Sequence, residues 1–118
     1  MNPQKSKLLS RFSASVRKEY GDRLLGLYVF DYLFGDSGDD DEVSADTDVA
    51  VILTDGDWNF LEEKKRLVRL TFEILLDTEV YIRAWPLPAS AWADPSTHAN
   101  PVLVRDIKRH SEPILEAV

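Results

Sequence analysis

The chain contains no cysteine, which excludes a disulfide framework, a thiolate metal site and a thiol nucleophile, and suits a reducing compartment. Only 5 glycines and 2 histidines occur among 118 residues. They form no Walker or dinucleotide-binding glycine motif, and neither histidine sits near a nucleophile elbow. Long hydrophobic runs are missing too. Nothing approaches the roughly 20 apolar residues that a membrane span needs, and residues 1–15 lack the continuous apolar stretch of a signal peptide. A cytoplasmic protein without a membrane partner is expected.

Basic surplus is the last absence. The formal net charge is -7, from 21 acids against 14 Lys plus Arg. Seven of the acids fall between Asp36 and Asp48, and the other 14 balance the 14 basic residues. A balanced surface with one acidic patch is a poor match for phosphate backbones, so no direct nucleic-acid binding is expected. The patch suits cations or a basic partner instead.

What is present describes one compact domain, residues 1–118. Hydrophobic residues at 44% and aromatics at 10% supply a core for a chain of this length. Leu8, Phe12 and Val16 mark one helix face over Pro3 to Tyr20, ended by Gly21 and Asp22. Leu24 to Phe30 reads as a buried strand, with Tyr32 to Phe34 as a candidate continuation, and Asp46 to Leu53 reads as a second strand beyond a turn-rich acidic loop. Trp58 to Leu76 is the longest predicted helix, with Leu61, Val68, Phe72 and Leu75 on one stripe and Leu67, Leu70 and Ile74 widening it. Glu79 to Trp85 is a third strand, stopped by Pro86 and Pro88, and a proline-rich connector leads to a helix over Pro101 to Arg109, capped by Asn100. This order predicts an α/β (α+β) fold with a sheet of about three strands and helices on one face.

Side chains two apart in a strand share a side, so Asp46 and Asp48 present two carboxylates together. At about 6 Å they repel by roughly 3 kcal/mol at an effective dielectric near 20. Magnesium would compensate them, since it takes oxygen ligands and is held by one or two carboxylates plus substrate phosphates. Glu79, at the start of the third predicted strand, is the best-placed third carboxylate, with Asp77 in reserve.

Residues 25–30 (LGLYVF), a loop, and residues 44–53 (SADTDVAVIL) together resemble the minimal nucleotidyltransferase (MNT) domain of the DNA-polymerase-β-like superfamily. The run from Glu79 through residues 85–87, 90–92 and 100–107 is similar to that family's C-terminal pattern. The resemblance implies a nucleotidyltransferase fold that uses two magnesium ions and ATP, and an antitoxin partnered with a helical HEPN toxin in a toxin-antitoxin system. In that family AMP from ATP is transferred to a tyrosine hydroxyl of the partner (AMPylation). By position Asp46 and Asp48 match the metal-binding pair, and Glu79 falls near the third carboxylate, making these three the catalytic and metal-binding candidates.

The family's phosphate-binding Gly-Ser after the first strand is not preserved. Aligned at Phe30, its places hold Asp31 and Tyr32; aligned on residues 32–35, they hold Gly35 and Asp36, with Ser37 supplying a hydroxyl one step later. Gly35, Asp36 and Ser37 are thus the nucleotide-binding candidates. The loss opens an alternative: a catalytically degenerate MNT-fold antitoxin that neutralises its toxin by binding alone, its acidic loop covering a basic ribonuclease surface.

Other signals read more plainly. Asp39 to Glu42 lacks the EF-hand glycine and terminal glutamate. Arg105 and His110 match the HEPN Arg-x4-His spacing by chance, His98 is an exposed connector residue, and Trp58, Trp85 and Trp92 are packing residues.

Overall fold

The computed structural model describes residues 3–30 and 47–116. Helix α1 spans Pro3–Tyr20, and Gly21, with φ +55°, supplies the left-handed turn into a short 3-10 segment, Gly21–Arg23. Strand β1 (Leu24–Phe30) and strand β2 (Thr47–Leu53) pair antiparallel, and helix α2 (Phe60–Thr78) crosses over to strand β3 (Ile82–Pro88), which lies parallel to β2. Two further helices, α3 (Ala89–Ala93) and α4 (Pro101–Arg109), lead to strand β4 (Ser111–Glu116), antiparallel to β1.

The mixed α/β fold agrees with the sequence, but among the described residues the sheet has four strands, in the order β3-β2-β1-β4. The fourth escaped the sequence because Pro113 interrupts Ser111 to Ile114. It pairs with Tyr28 beside a register shift, at the sheet edge, where a residue without an N–H is tolerated. Helices also cover both faces rather than one. Phe12, Val16, Leu67 and Ile74 of α1 and α2 pack on Leu27, Val49 and Val51, while Val104 and Ile107 of α4 pack with Phe30, Ala50 and Ile52. Every residue of β2 is therefore buried, which is why its apolar run is continuous and not alternating.

Two boundaries moved for physical reasons. Strand β3 runs through Pro86 and Pro88 instead of stopping there. In its register, with the Thr47 N–H donating to the Tyr81 carbonyl, residues 81, 83, 85 and 87 bond inward to β2 and residues 82, 84, 86 and 88 point outward. The prolines thus occupy positions whose missing donors cost the ladder nothing. Helix α2 starts two residues later than expected because Asn59 is its N-cap, accepting from the Glu62 N–H at 3.1 Å.

Candidate functional site

Alternation along β2 sends Val49, Val51 and Leu53 toward α1 and α2, and puts Asp48 on the α4 side with Ala50 and Ile52. Asp48 is 4% exposed. Its register partners are Phe30 on β1 and Arg83 on β3. Arg83 grips the carboxylate with two bonds, Nε to Oδ1 at 2.7 Å and Nη2 to Oδ2 at 3.1 Å, and the Trp85 Nε1 donates to Oδ1 at 3.1 Å. The Phe30 ring meets Trp85 edge-on at 6.0 Å, closing the apolar side of this pocket of charge. A bidentate guanidinium with an added indole donor satisfies a buried carboxylate well.

Lys64, on α2, reaches the same strand, donating from Nζ to the outward Ala84 carbonyl at 2.8 Å. Partial burial, and secondarily the Arg83 charge, hold its ammonium pKa below the usual lysine range. Two cations thus border β3 where the sequence leads one to expect a metal ion. A dication within about 4 Å of a guanidinium is repelled by several kcal/mol at an effective dielectric near 20. With three N–H donors on its oxygens, Asp48 in this arrangement does not fit a divalent ion.

Glu79 is not in β3. It follows the last residue of α2 as its C-cap, exposed and left-handed at φ 64°, its N–H donating to the Leu75 carbonyl at 2.8 Å. The helix runs further than expected, through Thr78, whose hydroxyl donates to the Ile74 carbonyl at 2.7 Å. Asp77 pairs with Arg11 across the helix layer at 2.6 Å. Among the described residues, no group of three His, Asp or Glu side chains could hold a metal ion. Asp46, Gly35, Asp36 and Ser37 lie outside the described residues.

Nothing in the sequence singled out Arg83, and Trp85 reads there as a packing residue. Their spacing of two, in a strand, was a signal that both share one side. What they meet there depends on the β2 to β3 register, which only the fold supplies.

A second buried acid plays a different part. Glu63, on the inner face of α2, is 2% exposed and accepts from Arg23 Nη2 at 2.7 Å, while the Arg23 guanidinium lies 5.6 Å over the Tyr20 ring. The Tyr20 hydroxyl donates to the Glu63 carbonyl at 3.5 Å, and burial, reinforced by Glu63, raises its pKa well above 10.0. This cluster ties the end of α1 to the start of α2. The remaining singled-out residues are structural or exposed. The His98 Nδ1 accepts from the Asn100 N–H at 2.9 Å, His110 caps α4, and Trp92 stacks at 4.7 Å on Tyr28.

With this geometry in hand, the chain can be set beside known proteins. No protein-family profile and no curated protein matches it. A solved structure from Shewanella oneidensis does, at 15% sequence identity and a TM-score of 0.55, over 98% of this chain and 74% of that one. The two chains share a fold. At that identity the likeness carries the architecture and no activity. No helix among the described residues is long and apolar enough to cross a membrane.

Proposed function

We propose that this chain is a partner-binding antitoxin of nucleotidyltransferase-like fold, which neutralises a helical HEPN toxin by occupying its surface and not by AMP transfer. The observation that carries this reading is the bidentate pairing of Asp48 with Arg83. A nucleotidyltransferase needs that carboxylate for magnesium, and here a cation from the adjoining strand already holds it. The sequence supports the same reading independently, since the phosphate-binding Gly-Ser is lost and the acidic excess between Asp36 and Asp48 suits a basic ribonuclease surface.

The test is co-expression with the helical toxin, followed by incubation with labelled ATP and magnesium. Complex formation and neutralisation without nucleotide, unchanged by Asp46→Ala, are expected, with no label on either protein. The melting temperature should stay flat across a magnesium titration; ions at ten times their dissociation constant would add about 1.4 kcal/mol, a shift of a few degrees. Label on a toxin tyrosine that disappears with Asp48→Asn would overturn the binding-only reading and restore metal-dependent transfer through Asp48.

A further inference from the structure

Residues 55–57 turn the chain out of β2 toward α2, and they contain the one Asp-Gly dipeptide in the sequence. Such a dipeptide carries its own chemistry. With no Cβ to shield it, the glycine nitrogen can attack the carboxyl carbon of the aspartate before it. The N–Cγ bond forms, the amide proton and the carboxyl hydroxyl leave as water, and a five-membered succinimide results. Water then reopens the ring at either carbonyl. Breaking the N–Cγ bond restores aspartate. Breaking the original peptide bond leaves isoaspartate, whose main chain runs through the side-chain carbons and is one methylene longer.

The turn leaves room for this reaction. Asp55, Gly56 and Asp57 are all exposed, and a Cβ added at Gly56 would meet no atom within 4 Å. The Trp58 N–H closes the turn on the Asp55 carbonyl at 3.1 Å, with Asp57 in the left-handed region at φ 56°. Against the reaction stands Ser90. Leu53 of β2 is level with Pro88 of β3, so Asp55 and Ser90 each lie two residues beyond the paired strand ends. The Ser90 hydroxyl donates to Asp55 Oδ2 at 2.5 Å, and its backbone N–H donates to Oδ1 at 2.9 Å. One bond on each oxygen holds the carboxyl group to the β3 side, and rotation of its carbon onto the Gly56 nitrogen must break them. The same two bonds, the hydroxyl's first, keep the carboxyl pKa below its usual range. An ionised carboxylate has no hydroxyl to lose as water, so the clamp opposes the attack chemically as well as by position.

We infer that Asp55-Gly56 is a latent isomerisation site, and that the Ser90 clamp across the ends of β2 and β3 keeps its aspartate intact. Ser90 is a positioning residue for Asp55. Isoaspartate there would lengthen the joint between β2 and α2 beside Thr54, whose N–H bonds the Arg23 carbonyl at 3.0 Å. Nothing in this depends on the proposed toxin partner.

The test is ageing of the full chain at neutral pH, followed by peptide mapping with electron-transfer fragmentation, which separates isoaspartate from aspartate at position 55. The native chain should accumulate isoaspartate more slowly than the same chain held unfolded in urea. Ser90→Ala and Ser90→Val should speed accumulation about fivefold or more, the factor that one hydrogen bond of ordinary net strength is worth. Ser90→Thr, which keeps the hydroxyl on the shape of valine, should stay at the native rate. Adding Gly56→Ala to Ser90→Ala should suppress the product, because a Cβ crowds the attacking nitrogen. Ser90 is exposed, and unchanged circular dichroism verifies the fold of each variant; should one unfold, the native and urea rates of the unaltered chain still decide. Equal rates in those two states overturn the inference. So do Ser90→Ala and Ser90→Val chains no faster than the unaltered one, or a Ser90→Thr chain as fast as Ser90→Val.

Discussion

Glu79 occupies a backbone conformation that glycine adopts at little cost and other residues adopt with strain. If it serves only as a C-cap, Glu79→Gly relieves that strain and should raise stability by about 0.5 to 1 kcal/mol, a few degrees in melting temperature. Thermal unfolding monitored by circular dichroism measures it, and a loss of stability would mean that the Glu79 side chain makes a contact worth more than the strain. The residue also shows why a carboxylate can be legible as chemistry and misplaced in space. Its type suggested a metal ligand, but the two extra residues of α2 moved it from strand to cap. Arg83 is the converse case, invisible as a partner until the β2 to β3 register puts it beside Asp48.

At the scale of the element, α2 explains the largest departure from expectation. The breadth of its apolar face, Leu61, Val68, Phe72 and Leu75 widened by Leu67, Leu70 and Ile74, suggests a helix covered on more than one side, yet Leu61, Val68 and Phe72 are exposed and Leu67 and Ile74 are the core. Both stripes have a helical period, so periodicity alone cannot rank them. Burial follows from where the sheet and α1 lie. Leu67→Ala should cost about 2 to 5 kcal/mol, while Val68→Thr should stay within about 0.5 kcal/mol. Urea unfolding of the two variants side by side decides which face is inside; equal losses would show that the outward stripe also packs within one copy. The shorter elements differ in the same way: Asn100 and Pro101 mark the start of α4 in the sequence, whereas Pro113 hides β4.

For the whole molecule, ionisable groups define a stability window. The folded-state pKa of Tyr20 is raised, so its contribution is fully present below the unfolded value near 10 and is lost as pH rises beyond it. The carboxylates of Asp55 and Asp94, hydrogen-bonded by Ser90 and Ser96, have lowered pKa values. Their contribution is present above the unfolded value near 4 and fades as pH falls below it. Urea midpoints against pH should therefore decline at both ends, and Tyr20→Phe should flatten the decline above about pH 10. An alkaline slope identical in the variant would place its origin elsewhere.

The sequence by itself determined most of the elements and the distribution of charge. Local capping and period fixed α1, β1 and α4, the apolar run of β2 marked a strand, and the concentration of acids between Asp36 and Asp48 established the charge asymmetry. Tertiary structure alone decided which side chains meet. Whether Asp48 faces a metal ion or a guanidinium, and which stripe of α2 is core, depend on strand register and helix placement. Those are set by contacts between residues far apart along the chain, and no local pattern encodes them.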